Sequence, residues 1–495
     1  MSNISTSFKF HPVGQGLFYT GKINDFHFIY DCGTLSGQTI INKAIDQYLD
    51  GNNINKINLL ILSHLDSDHI SGLKYLKEKK IPIDYVVMPY ISPFERIIHW
   101  FKSKNSKTPE YFNFLKDPIS FLLEGIEIRK IYLIYSKTKD APNTSGPESP
   151  EFGSEIEFFP KTETSYDAIH DEDREGWNKF TNRIFFTSHL SDLYIKTGHW
   201  LMRFYLRAIS DEQLLKFEKC LKCKNIYSAK EAFEKLDQTK LCYKIINENL
   251  NNTNLALFHA PSERIHTQKI SLSYLDNIYK MSLSRLGQIL TGDLNLRMEY
   301  MNFLKHIDKY KEYVFLTQIP HHGSIRSWDP KLIKELPNCQ WWVVSSKSKD
   351  PKSRHPNPQI AKDMKAYNKN YFKVNKSASV ELSSRCLNGL EKLSIRYKNK
   401  PSGDQKTETT TCKTRRQKMI KGVFDYEKVG DGKWYVAPMT AGNANKWAIE
   451  CDSEDEAKSI KKRLEIDDLK DPLVESEKYQ LLFHVFIDKK YFRIK

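Results

Sequence analysis

The first ninety residues alternate short apolar runs with glycine-containing turns. FKFHPVGQGLFYTG reads as a strand, a turn and a second strand, and FHFIYDCGT as a third that ends in Asp31-Cys32-Gly33. NKAIDQYLDG has helical spacing and stops at Gly51. INLLILSH is a continuous apolar run of the kind a strand covered on both faces requires. GLKYLKEKK then predicts a helix and IDYVVMPY another strand. Strand–helix–strand alternation predicts an α/β layer rather than an all-β barrel.

From about 92 to 245 the pattern is more helical and less regular, and SKTKDAPNTSGPESPEFGSE within it reads as a loop rich in Ser, Pro, Gly and charge. Strand-like patterning returns at NTNLALFHA, LGQILTGDLN, KYKEYVFLTQIPHHGS and CQWWVVSSKS. Residues 357–369 predict a helix, and VELSSRCLNGLEKLSIRYKN a closing hairpin. KPSGDQKTETTTCKTRRQK is polar, has no periodicity and reads as a linker. Beyond it, KWYVAPM and KWAIECD predict strands, and SEDEAKSIKKRLE a helix with Ser453 and Glu456 at capping-box spacing. With YQLLFHVFI these make a small α+β module; no internal repeat is evident.

The polar positions that interrupt this pattern carry the chemistry. Directly behind INLLIL stands SHLDSDHISGL, which places His64, Asp66, Asp68 and His69 within six residues. A buried strand that stops abruptly delivers its loop to the edge where α/β proteins place ligand sites. Imidazole and carboxylate together suit divalent transition metals. The competing reading is a helix-capping loop, with Asp66 or Asp68 as N-cap and exposed histidines. Three further strands end the same way: LGQILTGD at Asp293, FLTQIP at His321 and His322, and WWVVSS at Ser345 and Ser346, with His355 beyond. Four such ends form a constellation on one edge and point to a metal site.

Composition changes the picture only in part. A chain of 495 residues predicts two or three domains, and 40% hydrophobic with 12% aromatic content is ample for a core. Lysine and arginine number 76 against 61 acidic residues, a net charge of +15. That surplus suits polyanions such as nucleic acid or acidic membrane, or reflects a lysine-rich coding bias. MSNISTSFKFHPVG has no apolar signal region, and no window approaches the roughly 18–20 apolar residues of a membrane span. The eight scattered cysteines suggest a reducing cytoplasm. Cys220 and Cys223 form one C-x-x-C pair in a helical stretch, a zinc pair or an ordinary helix.

The motifs in this order resemble the metallo-β-lactamase-fold hydrolases and, within them, the soluble hydrolase domain of the DNA-uptake protein ComEC. The signature H-x-[HD]-x-D-H is matched by His64, Asp66, Asp68 and His69. VGQG and YDCG resemble the N-terminal strands, which places Asp31 beneath the metal loop. NNTNLAL resembles the family's Asn-containing strand, LTGD supplies Asp293 as bridging carboxylate, PHHGS the late histidine and RHPNP the closing His-Pro turn. The resemblance spans roughly residues 7–397. It implies an αββα sandwich over 1–400 with a helical insertion at about 95–245, a linker at 401–420 and a small α+β accessory module at 421–495.

It also implies a hydrolase with one or two divalent ions. His64, Asp66, Asp68, His69 and Asp293 would be ligands, together with His321 or His322, the other of that pair facing substrate. Two departures matter. Asp66 stands where most zinc lactamases have histidine, which hardens the site and brings Mn²⁺ and Fe²⁺ level with Zn²⁺. No third-motif histidine is secure; His199 and His259 are the candidates, each readable equally as structural. A metal lowers the pKa of its water and supplies hydroxide. Asp68 and Asp293 would orient that hydroxide, and the spare histidine, His355 and Ser345 would donate to the developing charge, which gives Asp68, His322 and His355 catalytic roles and His321 and Ser345 substrate contacts.

Three function classes follow. The first is a nuclease or phosphodiesterase acting on nucleic acid, in DNA processing or antiviral defence, as a free-standing cytoplasmic relative without membrane spans. The second is a small-molecule phosphoester or lactone hydrolase whose insertion roofs the site. The third is an interaction protein that keeps a metal for structure. In the tail, CKTRRQKMIKG with Trp434, Tyr435 and Trp447 reads as a single-stranded nucleic-acid surface, a partner-protein docking module or the module's own core.

Overall fold

The computed structural model describes residues 4–103, 108–135, 155–159, 169–196, 200–246, 253–262, 286–347, 355–387, 390–399, 424–428, 434–438, 448–451, 453–455, 458 and 491–492. The chain divides into two compact units, Met1–Thr411 and Cys412–Lys495. Among the described residues no helix is long and apolar enough to cross a membrane.

The first unit is built on two sheets. Its strands are β1 (Ile4–Phe10), β2 (Phe18–Ile23), β3 (Phe26–Cys32), β4 (Ile57–Ile61), β5 (Ile83–Pro89), β6 (Ile128–Tyr135), β7 (Ile156–Phe159), β8 (Ile184–Ser188), β9 (Asp192–Ile195), β10 (Trp200–Arg207), β11 (Asn254–Pro261), β12 (Gly287–Leu290), β13 (Val314–Gln318), β14 (Trp341–Ser345), β15 (Asn370–Val374), β16 (Ala378–Leu387) and β17 (Leu390–Asn399). Nine strands form one sheet in the order β17-β16-β1-β2-β3-β4-β5-β6-β8, and eight form the other in the order β15-β14-β13-β12-β11-β10-β9-β7. In the first sheet β3, β4, β5, β6 and β8 run parallel. In the second, β12, β13, β14 and β15 do.

Side-chain alternation assigns the faces. In β4, Leu59 and Ile61 join a core with Phe28 and Tyr30, and with Leu257, Leu290 and Leu316 of the other sheet. Leu60, with Ile29 and Val86, points the opposite way, toward Ile41 and Ile45 of α1 (Gln38–Gly51) and Leu76. A third core on the far side of the second sheet joins Ile289 and Trp342 to Phe303, Leu332 and Ile360. Three cores between four layers make an αββα sandwich, the metallo-β-lactamase architecture the sequence predicted.

Two short helices follow β4, α2 (Ser67–Ile70) and α3 (Leu73–Glu78). The segment 95–245 holds most of α4 (Pro93–Lys102) and further helices: α5 (Pro109–Lys116), α6 (Pro118–Leu123), α7 (Asp171–Trp177), α8 (Asp211–Lys222), α9 (Ala229–Glu234) and α10 (Leu236–Ile246). It also gives five strands, β6 to β10, to the two sheets, so this segment is woven into the sandwich as well as helical. Cys220 of α8 is joined by a disulfide to Cys242 of α10, while Cys223 is exposed with a free thiol. The C-x-x-C spacing is therefore not a zinc pair, since one of its two cysteines is joined to Cys242.

In the second unit β18 (Phe424–Lys428), β19 (Trp434–Pro438), β20 (Ala448–Cys451) and β21 (Tyr491–Phe492) form a four-stranded antiparallel sheet. The predicted linker 401–420, Trp447, Glu456 and YQLLFHVFI lie outside the described residues.

Candidate metal centre

The site is assembled at the carboxyl ends of parallel strands from both sheets. At the end of β3, Asp31 stands in the left-handed region with φ 55° and is fully buried. Its carboxylate accepts from Ser63 N at 2.6 Å, Ser63 Oγ at 2.6 Å and His69 Nδ1 at 2.7 Å. An ionised carboxylate only accepts, so the Ser63 hydroxyl gives its proton to Asp31. Ser63 Oγ then accepts from His64 Nδ1 at 2.8 Å. Both imidazoles are thus anchored through Nδ1–H, which leaves Nε2 of each to point into the site. Those two Nε2 atoms are buried and make no hydrogen bond.

The second sheet closes the other side. The backbone N–H of Asp293 donates to Asn254 Oδ1 at 3.0 Å, and Asn254 Nδ2 donates to Thr291 O at 2.9 Å. Gly292 has φ 51°, and a Cβ there would fall 2.7 Å from Asn254 Oδ1 and 2.9 Å from Ser63 Oγ. Only glycine lets these strand ends meet. His321 and His322 both stand in the left-handed region, with φ 49° and 52°. His322 donates from Nδ1 to Ser345 O at 2.9 Å and directs Nε2 toward Asp68 Oδ2 at 3.0 Å.

Asp293 sits between the rings. Its Oδ1 faces His69 Nε2 at 3.4 Å and His322 Nε2 at 3.7 Å. Its Oδ2 faces His64 Nε2 at 3.9 Å and His321 Nε2 at 3.7 Å. Among the described residues three groups have donor atoms within 4.8 Å of one another: Asp31, His64 and His69; Asp68, His69 and His322; and His64, Asp66 and Asp293. In the first, Asp31 is taken up by Ser63 and His69 Nδ1, which leaves the other two groups facing the site. Two donors on one ion, each about 2.1 Å from it, stand roughly 3.0–3.6 Å apart. The separations here are of that order, and the nitrogen and oxygen donors suit a divalent transition metal. The orphaned Nε2 atoms of His64 and His69, and Asp293 Oδ1, are further buried groups that such a cation would satisfy. The residues present therefore fit one or two ions.

Burial works to lower the pKa of His69 and of His322. The carboxylates outweigh it and raise both above the usual imidazole value: Asp31, Asp68 and Asp293 at His69, and Asp293 and Asp68 at His322. His64 goes the other way, to about 4, through burial and the charge of His69. Burial works to raise the carboxyls, yet neighbouring imidazoles hold Asp66, Asp68 and Asp293 below the usual range. Metal and proton compete for the same lone pairs.

The structure brings His64, Asp66, Asp68, His69, Asp293, His321 and His322 together. His322 is the buried member of its pair; His321 is 44% exposed on its side chain and stands at the rim beside Asp293. The His355 ring lies 6.3 Å from that of His321. Asp66 occupies the N-cap position of α2, but its side chain makes no capping bond. It lies instead 3.0 Å from His99 Nδ1, a residue of α4 that the sequence pattern did not mark.

Two expectations change. Ser345 does not offer its hydroxyl to the site: it donates to Gly16 O at 2.6 Å, and its carbonyl holds His322. His259 is not in the cluster but in the core between the sheets, 2.9 Å from Tyr19 Oη, while Trp200 Nε1 donates to its Nδ1 at 3.1 Å. His199, the other candidate third-motif ligand, lies outside the described residues.

Residues 15–161 match the model of the metallo-beta-lactamase superfamily. Among solved structures the chain is similar to the metallo-beta-lactamase fold protein YhfI from Bacillus subtilis, at 9% identity and a TM-score of 0.33, over 76% of this chain and 99% of that one. It is also similar to a long form RNase Z from yeast, at 12% identity and a TM-score of 0.26, over 70% of this chain and 37% of that one. At these identities and scores neither speaks to what the chain acts on. No curated protein matches the chain.

Proposed function

We propose that this chain, which carries a metallo-beta-lactamase superfamily domain, is a divalent-metal-dependent hydrolase that cleaves phosphodiester bonds in nucleic acid. One observation carries the proposal: three imidazoles anchored through Nδ1 turn their Nε2 atoms toward Asp66, Asp68 and Asp293. His64, Asp66 and Oδ2 of Asp293 would hold one ion. Asp68, His69, His322 and Oδ1 of Asp293 would hold a second. A bound divalent ion would acidify a water and polarise an anionic substrate oxygen, with Mn²⁺ and Zn²⁺ both suited to the donors.

The protein's own part is positioning. Asp31, Ser63 and the Ser345 carbonyl fix the three rings before substrate arrives. Asp68 and Asp293 would hold and orient the attacking water between the anchored rings. His321 stands at the exposed rim with His355 behind it. Burial, and then the charges of His321 and His322, lower the pKa of His355. A neutral His355 imidazole can hydrogen-bond a departing oxygen through its N–H.

The polymer substrate is supported by the net charge of +15, and the ComEC-like resemblance makes DNA processing or defence against foreign DNA the setting. The alternative, a small phosphoester or lactone, has its own support in α4, which walls the Asp66 side of the cluster.

The test is cleavage of labelled single- and double-stranded DNA and RNA by purified protein with Mn²⁺, Zn²⁺ or Mg²⁺, each beside Asp68→Ala. Cleavage that needs both metal and Asp68 is the expected result, with the variant at background and its fold intact by circular dichroism. Normal turnover by Asp68→Ala contradicts the assigned site. Metal bound without cleavage of any polymer overturns the nuclease reading in favour of a small substrate.

A further inference from the structure

The helix α4 runs through apolar surroundings, with Phe94, Ile97, Ile98, Trp100 and Phe101 in the outer core. Its polar side chains Glu95, Arg96 and His99 are nevertheless buried, and each has a defined contact. Arg96 pairs with Asp173 of α7, Glu95 accepts from the Thr253 hydroxyl just before β11, and His99 reaches Asp66. The first ties the helix to α7 and the second to the start of β11. The third ties it to the metal loop.

The His99 ring is 1% exposed. A carboxylate accepts, so His99 Nδ1–H donates to Asp66 Oδ1 at 3.0 Å. The other oxygen, Oδ2, faces His64 Nε2 at 3.7 Å. His99 Nε2 makes no hydrogen bond and is not grouped with the ligand atoms of the cluster. The ring therefore stands one layer out from the ligands, as Asp31 does for His69 and the Ser345 carbonyl for His322. A carboxylate held at one oxygen by a buried ring is restricted in direction, whatever else it contacts.

We propose that His99 is a positioning residue for the subsite of His64, Asp66 and Asp293, fixing the direction of the Asp66 carboxylate and tying the loading of that subsite to the seat of α4. This rests on the metal-centre reading above and adds a residue from the 95–245 segment to it. Loss of such an outer partner costs about 10–100-fold in metal affinity. The other subsite, built on Asp68, His69 and His322, has no contact with His99 among its anchoring bonds and should keep its affinity.

The experiment is calorimetric titration of metal-free full-length protein with Mn²⁺ and with Zn²⁺, comparing wild type, His99→Leu, Asp66→Ala and the double variant, with thermal unfolding of each. The expected result is an affinity about 10–100-fold weaker for one site in His99→Leu. In the double variant affinity should be no weaker than in Asp66→Ala alone, because His99 acts through Asp66. Polar replacements separate this from a packing role. Asn places an amide N–H near the Nδ1 position and should retain metal affinity, whereas Gln reaches toward the Nε2 position and should lose it; this pair decides the matter if the leucine variant does not fold. Wild-type affinity in His99→Leu, additive losses in the double variant, or Gln performing as well as Asn would overturn the proposal while leaving the metal centre standing. A wild-type protein that takes up neither ion would overturn both.

Discussion

Buried histidines of this chain differ in purpose, and the partners of each ring decide it. His64, His69 and His322 have one nitrogen anchored and the other turned to carboxylates. His259 has both engaged inside the core: Trp200 donates to Nδ1, Nε2–H donates to Tyr19, and Tyr19 donates to Gln288. Burial drives its pKa to about 3. The unfolded chain binds this proton near pH 6.5 and the folded chain does not, so stability is full above that pH and falls as pH drops toward 3. His259→Leu should destabilise by about 2–4 kcal/mol, since it leaves Trp200 and Tyr19 short of a partner, with metal stoichiometry unchanged. Between pH 6.5 and 4, urea denaturation of the metal-free variant should show a pH slope smaller than wild type by up to about 1.4 kcal/mol per unit. Parallel slopes would contradict this assignment. In the sequence, LALFHAP gives no sign of which use applies, because the deciding atoms come from Tyr19 and Trp200, far away in the chain. His64, Asp66, Asp68, His69, Asp293, His321 and His322 were legible because each motif follows its strand directly. His99 was not: it is one of several polar residues in a largely apolar helix, and its contact is 33 residues distant.

At the scale of elements, the centre depends on strand ends that approach closely. Gly292 carries this most sharply, since a Cβ would enter the space of Asn254 and Ser63 and the backbone is left-handed. Gly292→Ala should cost at least roughly 1–2 kcal/mol from the backbone alone, and should displace Asp293 enough to weaken metal binding. Thermal unfolding and metal titration of the variant check this; a wild-type profile in both would mean the strand ends have slack. The alternation of strands and helices before residue 90 and the hairpin at β16–β17 were readable from period alone. The five strands between 128 and 207 were harder, because β7 and β9 have only four residues each and strands of that length show little alternation. Their place is set by pairing with distant partners rather than by local pattern.

The whole molecule joins an αββα sandwich of the metallo-β-lactamase kind to a second unit that begins near Cys412. Every element of the proposed chemistry lies in the first unit, at an edge where both sheets end. The nucleic-acid assignment depends on the net charge and the ComEC-like resemblance, and the cleavage panel decides it. The metal centre is the more basic claim, and Asp293 tests it most directly, because its two oxygens face both groups of donors. The measurement is metal content per chain, by elemental analysis after dialysis against Mn²⁺ or Zn²⁺, for wild type and Asp293→Ala. One or two equivalents in wild type, with loss from Asp293→Ala whichever subsite is filled, is the predicted result. No stoichiometric metal in wild type, or equal metal in the folded variant, would contradict the account.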